Sequence, residues 1–198
     1  MAARPVNPSL DRAFFARDAE TVARALIGTT LVRRVRGKEL RARLVEVEAY
    51  LGPHDLAAHS SKGRTARTEV MFGPAGHAYV YLIYGMYEMF NIVTGGIDDA
   101  QAVLVRAAEP LEGWAANLSG PGRLAREMQI TRALNGEDLT TSDRLWLLPR
   151  VEAKAPRVGR GVRVGVDYAG IWKDELLRFY DMNSRAVSRP LPKPPARV

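Results

Sequence analysis

The 198-residue chain contains no cysteine, and this absence excludes disulfide bonds, thiolate nucleophiles, zinc-finger sites and iron–sulfur clusters. Histidine is also scarce: of the three present, only His54 and His59 lie close together in the sequence. Because no Asp, Glu and His residues occur at a convincing ligand spacing, we expect no catalytic metal. Without cysteine, the protein should be independent of redox state.

Long apolar segments are absent too. A transmembrane helix needs about 20 consecutive apolar residues, and no run in this sequence approaches that length. The N-terminal segment MAARPVNPSLDR lacks the apolar core of a signal peptide. The sequence therefore predicts a cytosolic protein that does not interact with membranes.

Positive charge, in contrast, is in excess. The 29 Lys and Arg residues outnumber the 22 Asp and Glu residues, and the net charge is +7. Such a balance favours phosphate polymers or anionic surfaces as partners. The charge is concentrated in three groups: Arg33, Arg34, Arg36, Lys38, Arg41 and Arg43; Lys62, Arg64 and Arg67; and Arg185, Arg189, Lys193 and Arg197. Each group is equally consistent with a solvated face.

The spacing of short apolar segments and turn residues predicts one mixed α/β (α+β) domain over residues 1–198. We expect a curved, mainly antiparallel sheet flanked by helices, with a protruding β-hairpin. Asp18 is predicted to cap a helix that Gly28 ends. Further elements are strands at 31–35, 40–50, 102–108, 161–166 and 176–180, and a helix at 123–130. About residues 1–8 and 189–198 are expected to be flexible.

Residues 77–94, HAYVYLIYGMYEMFNIVT, predict the hairpin. Two alternating strands meet at a tip of Tyr84, Gly85, Met86 and Tyr87, where Gly85 supplies the conformation that a two-residue loop needs. An aromatic side chain at the tip of a stiff ribbon cannot be buried by its own hairpin. Tyr84 and Tyr87 therefore either dock on a neighbouring element or a partner protein, or form a wedge that enters a base stack.

Two carboxylates interrupt the apolar strand at 40–50. Strict alternation places Leu40, Ala42, Leu44, Glu46, Glu48 and Tyr50 on one face, opposite Val45, Val47 and Ala49. Glutamate is rarely buried without a partner or a purpose. One interpretation is that Glu46 and Glu48 form structural ion pairs with arginines. The other is that a partly buried glutamate beside Tyr50 and His59 serves as a general base for water.

Several segments in a fixed order resemble one enzyme family. VEVEAYLGPHDLAAHSSKGRT, MFGPAGHAYVYLIYGMYEMFNIV, AVLVRAAEPLEG, SGPGRLAREMQI and RVGVDYAGIWKDELLRFY closely resemble the alkyladenine (3-methyladenine) DNA glycosylases of the vertebrate and bacterial single-domain type. The resemblance extends from about residue 14 to about residue 180. It implies a monofunctional glycosylase that flips alkylated or deaminated purines out of duplex DNA and hydrolyses the N-glycosidic bond, leaving an abasic site.

The resemblance also implies the roles of matched positions. Glu48 would be the general base that activates water, and Arg106 would help to position that water. Asn91 would lie on the pocket floor and reject the exocyclic amine of normal guanine. The extruded base would be held between three rings, those of Tyr50, His59 and Tyr81. Without the resemblance, His59 could be a loop hydrogen-bonder and Asn91 could satisfy strand backbone groups.

The same resemblance implies how the tip of the hairpin contacts DNA, whereas the basic residues and the start of a helix indicate contacts with the DNA backbone. Tyr84 would fill the gap left by the flipped nucleotide, and Met86 and Tyr87 would belong to the same wedge. Contacts with the DNA backbone are expected from the side chains of Lys62, Arg64 and Arg67 and from free N–H groups at Gly120 and Gly122.

The expected partner is double-stranded DNA containing damaged purines, bound by a monomer that needs no cofactor. The expected location is the bacterial cytoplasm, with the nucleoid, or the nucleus in a eukaryote. None of the residues matched to the pocket itself is a lysine, so lyase activity through a Schiff base is not expected. A non-catalytic DNA-bending or damage-sensing module and an RNA-binding domain are the alternatives. The sequence leaves open whether neutral lesions such as hypoxanthine are released.

Overall fold

A curled antiparallel sheet of eight strands forms the centre of the computed structural model, which describes residues 9–151 and 155–189. The strands are β1 (Thr30–Val35), β2 (Lys38–Tyr50), β3 (Ala78–Ile83), β4 (Tyr87–Thr94), β5 (Gln101–Pro110), β6 (Leu145–Leu148), β7 (Val158–Gly161) and β8 (Arg178–Asp181). The α-helices of the described residues are α1 (Arg12–Phe15), α2 (Ala19–Leu26) and α3 (Pro121–Glu127). The predicted mixed class with antiparallel pairing is confirmed.

Two sequence-based expectations concern flexible ends of the chain and membrane-spanning helices. The flexibility predicted for residues 1–8 and 189–198 concerns, apart from Arg189, residues outside the described ranges. Within 9–151 and 155–189, no helix combines the length and the apolar character that crossing a membrane requires.

The longest strand, β2, organises the sheet because it pairs along both edges. β5 lies antiparallel on one edge, whereas β1 and β8 share the other. The loop between β1 and β2 consists of Arg36 and Gly37, whose φ angles of 48° and 78° are both positive, as a type I′ turn requires. The strands predicted at 31–35 and 40–50 are confirmed, and β2 begins two residues earlier than predicted, at Lys38.

Helix α2 packs on the sheet as its sequence predicts. The side chain of Asp18 accepts a hydrogen bond of 2.9 Å from the Thr21 N–H, which caps the helix. The helix buries one face, made of Ala19, Val22, Ala23 and Leu26. This face joins the main apolar core, which also contains residues of β2 and β5.

A β-bulge in β2 decides which side chains face that core. The pairing of β2 with β5 shifts register between Leu44 and Val47. Even-numbered side chains face one side of the sheet before this bulge and the other side after it. Leu44 before the bulge and Val47 after it both belong to the main core. Glu46 and Glu48 therefore lie on the face opposite to Leu44, and the single uninterrupted face that strict alternation predicts is wrong.

The hairpin of β3 and β4 forms as predicted, but its loop is longer. Ile83 pairs with Tyr87, so the loop consists of Tyr84, Gly85 and Met86, and the predicted two-residue loop is wrong. Tyr84 and Gly85 have φ angles of 52° and 70°. A positive φ angle is readily adopted by glycine, as at Gly85, but is unusual for a residue with a side chain, such as Tyr84.

Other predicted boundaries also differ. The strand predicted at 161–166 is wrong: β7 ends at Gly161, and the φ angle of 75° at Gly165 breaks extended structure. Helix α3 begins at Pro121 rather than at residue 123, because a proline needs no hydrogen-bond donor in a first turn. It ends at Glu127, three residues earlier than predicted. β6, the segment LWLL, has no counterpart among the predicted elements.

Candidate active site

A pocket of about 200 Å³ opens at the base of the β3–β4 hairpin. It lies between this hairpin, the end of β2, and the irregular segment that follows β7. Six of the side chains predicted to form the site line it together: Tyr50, His59, Tyr81, Tyr84, Asn91 and Arg106. The structure thus gathers residues that are spread over more than fifty positions of the sequence.

Glu48 lies directly behind the inner wall of this pocket and is fully buried. Its Oε2 accepts a hydrogen bond of 3.0 Å from the hydroxyl of Tyr50, and its Oε1 accepts one of 2.8 Å from the N–H of Val164. Nη1 of Arg106 is 3.3 Å from Oε1. All three neighbours line the pocket, so the carboxylate is one side chain removed from the space where a ligand would lie.

Arg106 joins the two glutamates of β2. Besides its contact with Glu48, its Nε donates to Oε1 of Glu46 at 3.0 Å. Although burial opposes the charged form, the negative charges of Glu48 and Glu46 raise the pKa of Arg106 above its ordinary value. The guanidinium therefore stays charged at every physiological pH and holds a positive charge against Glu48.

Glu46 has the contacts of a structural ion pair. It accepts hydrogen bonds from Nε of Arg178 at 2.7 Å, and from the N–H and hydroxyl of Ser188 at 2.5 and 2.9 Å. Together with Arg106, these donors surround a carboxylate that is fully buried. The ion-pair interpretation of the sequence thus describes Glu46 fully, whereas Glu48 adjoins the pocket.

Aromatic rings form the outer part of the pocket. His59 and Tyr81 meet edge to face, with centroids 4.5 Å apart, and Nδ1 of His59 is 3.0 Å from the hydroxyl of Tyr79. Burial, with a smaller contribution from the charge of Arg67, lowers the pKa of His59 to about 4. The imidazole is therefore neutral at pH 7 and acts here as a flat, uncharged ring.

Asn91 is held by the backbone of the neighbouring strand. Its Nδ2 donates to the carbonyl oxygen of Tyr79 at 3.1 Å, which is the backbone role that the sequence left open for it. Among the described residues, no donor reaches its Oδ1. The amide is thus fixed in orientation and still lines the pocket, so the predicted exclusion of guanine stays a prediction.

Tyr84 protrudes from the hairpin and is 82% exposed. Docking of this ring on a neighbouring element, one of the two interpretations of the sequence, does not occur within the described residues. Tyr87 does dock: a Cβ placed on Gly122 would lie 3.0 Å from its ring, so only glycine lets α3 approach so closely. The hairpin is therefore held against α3 directly beside its loop, while the ring of Tyr84 within the loop remains exposed.

The residues predicted to contact the DNA backbone have varied surroundings. The N–H of Gly120 donates to the carbonyl oxygen of Arg106 at 3.1 Å, so its expected freedom is wrong. Arg64 forms an ion pair with Asp98 and covers the ring of Phe72. Lys62 is exposed. The roles of these residues at DNA stay predictions.

Sequence reasoning missed the buried ion pair of Arg163 and Asp55, which supports the pocket. Nη1 and Nη2 of Arg163 contact the Asp55 carboxylate at 2.5 and 2.9 Å, and both side chains are fully buried. The guanidinium also lies over the ring of Tyr50, 4.8 Å from its centroid. The available signal was the arginine within the apolar segment GVRVGV.

A buried carboxylate behind an aromatic pocket, with an exposed aromatic ring at the mouth, defines a class: enzymes that act on a base taken out of a nucleic-acid stack. Sequence comparison narrows this class. A family model described as "Methylpurine-DNA glycosylase (MPG)" matches residues 13–185. The chain therefore belongs to the methylpurine-DNA glycosylase family.

Individual relatives agree with this assignment. A protein of Myxococcus xanthus (strain DK1622) is 50% identical over 182 residues, covering 91% of this chain and 93% of the relative. One of Legionella pneumophila (strain Corby) is 47% identical over 180 residues, covering 91% and 98%. One of Methanocella arvoryzae is 46% identical over 198 residues, covering 93% and 98%. Each carries the name "Putative 3-methyladenine DNA glycosylase".

Proposed function

We propose that this protein is a monofunctional 3-methyladenine DNA glycosylase that removes damaged purines from duplex DNA at the start of base excision repair. The observation that carries the proposal is the placement of Glu48. A fully buried carboxylate is usually part of a structural ion pair, as Glu46 is. Glu48 differs because it also adjoins an open pocket lined by rings that suit a purine. Family membership supports the same activity.

The arrangement accounts for the steps of the reaction. A base within a duplex hides its glycosidic bond, so the nucleotide must first leave the stack. The extruded purine would enter between Tyr50 on one side and the rings of His59 and Tyr81 on the other. Glu48 would then take a proton from the attacking water and stabilise the positive charge that develops on the sugar.

Arg106 would assist this chemistry by positioning the attacking water. Its guanidinium lines the pocket and contacts Glu48, so it can hold a water next to the carboxylate. None of the pocket-lining residues within the described ranges is a lysine. That composition favours direct attack by water over a Schiff-base intermediate, and hence base release without strand cleavage.

Duplex DNA containing one damaged purine tests the function. The protein is incubated with a labelled duplex that holds a single 7-methylguanine or hypoxanthine, and one half of each sample is then treated with alkali. Strand breaks that appear only after alkali are the expected result, because they report an abasic site. Breaks without alkali would indicate a lyase, and tight binding without base release would indicate the alternative, a damage-sensing module.

The wedge predicted at Tyr84 has its own test. Tyr84→Ala is expected to reduce excision by about 10- to 100-fold, since stacking of an aromatic ring on a base contributes about 1 to 3 kcal/mol. The loss should be larger for a well-paired lesion than for one opposite a mismatch, where less pairing must be broken. Single-turnover excision from the two duplexes measures this difference.

Two controls accompany this variant. Tyr84→Phe keeps the ring and should retain most activity. The melting temperature of Tyr84→Ala should equal that of the wild type, because the side chain is exposed. Equal losses on both duplexes, combined with a large fall in melting temperature, would show that Tyr84 supports the fold rather than the flipped state.

A further inference from the structure

Both tyrosines that would hold the extruded base already carry a guanidinium on one face. Arg163 lies over Tyr50, with its Cζ 4.8 Å from the ring centroid, and Arg67 lies over Tyr81 at 5.0 Å. Arg67 does not itself line the pocket but borders a shallow depression next to it, which Tyr81 separates from the pocket. The two aromatic walls are thus backed by positive charge from outside.

The two arginines differ in their counter-charges. Arg163 is neutralised by the Asp55 carboxylate, with which it is completely buried. Arg106, the third arginine near the pocket, contacts both Glu46 and Glu48. Arg67, by contrast, has no carboxylate within 4.0 Å among the described residues. Of these three arginines, Arg67 is therefore the one whose positive charge is not paired with a carboxylate of the described residues.

The neighbouring groups respond to this charge. Burial is the main cause of the low pKa of His59, and the charge of Arg67 lowers it further. Burial raises the pKa of Tyr79 and of Tyr81, and Arg67 opposes the rise in both. A base placed against the other face of Tyr81 would therefore also lie near this positive charge.

This potential distinguishes two classes of damaged purine. A purine alkylated at a ring nitrogen is a cation, and it is attracted to an aromatic face that is free of other cations. A deaminated purine such as hypoxanthine is neutral. When its bond from N9 to the sugar C1′ breaks, the electron pair stays on N9, the water oxygen bonds to C1′, and the proton of the water goes to Glu48. The neutral purine thus leaves as an anion, which nearby positive charge stabilises.

We propose that Arg67 is a specificity-determining residue that disfavours cationic alkylated purines and favours release of neutral damaged purines. This inference rests on the proposed glycosylase function and adds the substrate preference of its pocket. Arg67 acts through its charge and through the face of Tyr81 that it occupies. A contact between Arg67 and the DNA backbone would be compatible with this role but would not discriminate between lesions.

The test compares two lesions in three variants. Single-turnover efficiency is measured for hypoxanthine and for 7-methylguanine in the same duplex context, and the ratio of the two values is followed. Arg67→Gln is expected to lower this ratio by about fivefold, the order of effect of one partly screened nearby charge. Asn91 is present in every variant, so its preference cancels from the comparison.

Two further variants serve as controls. Arg67→Lys keeps the charge and should keep the ratio close to that of the wild type. Lys62→Gln removes one charge from the same loop, away from the pocket lining, and should lower both efficiencies equally. Arg67 is exposed, so its substitution should leave the melting temperature unchanged. Equal losses on both lesions in Arg67→Gln would reduce Arg67 to a backbone contact and overturn the proposal.

Equilibrium binding separates this proposal from the function on which it rests. Arg67→Gln should strengthen binding to the 7-methylguanine duplex, relative to the hypoxanthine duplex, by a similar factor. If the wild type released neither base, the glycosylase function would fail, and the shift in relative affinity would still support the role of Arg67. Where the bases are released, an unchanged efficiency ratio would refute that role, and where they are not released, an unchanged affinity ratio would refute it.

Discussion

Glu48→Gln is expected to slow base release by at least about a thousandfold while binding to damaged duplex DNA survives. Removing a positioned general base generally reduces rates by about 10²- to 10⁴-fold, and here the same group also stabilises charge on the sugar. Glutamine keeps the shape of the side chain and can still accept from the Val164 N–H. It cannot take a proton from water, so the hydrolytic step is affected far more than docking.

Single-turnover excision and equilibrium binding, measured on one duplex, check this expectation. Glu46→Gln is the matched control, because it removes the neighbouring carboxylate that shares Arg106. We expect that change mainly to lower the free energy of unfolding, with a much smaller loss of rate. Excision by Glu48→Gln within tenfold of the wild type would mean that another group activates the water.

Asp55→Ala is expected to reduce the free energy of unfolding by about 3 to 5 kcal/mol, the usual effect of leaving one member of a buried ion pair alone. Among the described residues, the Arg163 guanidinium would retain only the carbonyl oxygens of Ala49 and Trp172 as acceptors. The N–H groups of Leu51 and Ala57, which donate to the Asp55 carboxylate, would lose their acceptor too. Urea unfolding followed by circular dichroism measures the change.

Two controls isolate the buried charge. Glu127→Ala removes a half-buried carboxylate that pairs with the exposed Arg126, and it should change the free energy of unfolding by less than about 1 kcal/mol. Asp55→Ala combined with Arg163→Met removes both charges, and should recover much of the loss because no unpaired guanidinium remains. A double variant as unstable as Asp55→Ala would show that loop hydrogen bonds, rather than the charge, cause the effect.

Local sequence patterns predicted the parts of the fold that depend on near neighbours. The hairpin, the long strand β2 and helix α2 follow from alternation, turn residues and a capping aspartate. The bulge at 44–47 could not be predicted this way, because it depends on how β2 fits against β5, and it reverses the faces that alternation assigns. The segment LWLL of β6 is too short for periodicity to distinguish strand from helix.

The candidate site also has a part that the sequence predicted and a part that only the structure reveals. The resemblance identified the pocket residues, and the structure brings them together. The pairing of Arg163 with Asp55 joins positions 108 apart, and the stacking of Arg67 on Tyr81 requires a loop to fold back on the hairpin. Such contacts are set by the tertiary fold. A pattern in either segment alone indicates that an arginine is unusual but not which partner it has.

The Val164 N–H that holds Glu48 comes from a residue 116 positions later in the chain. During synthesis on the ribosome, β2, β5 and the hairpin emerge well before this donor does. The Arg178 and Ser188 contacts to the neighbouring Glu46 follow later still. The side chains that form the aromatic walls are therefore synthesised well before residues 164–168, which line the pocket and supply the donor to its carboxylate, so the site is complete only after that segment has been made.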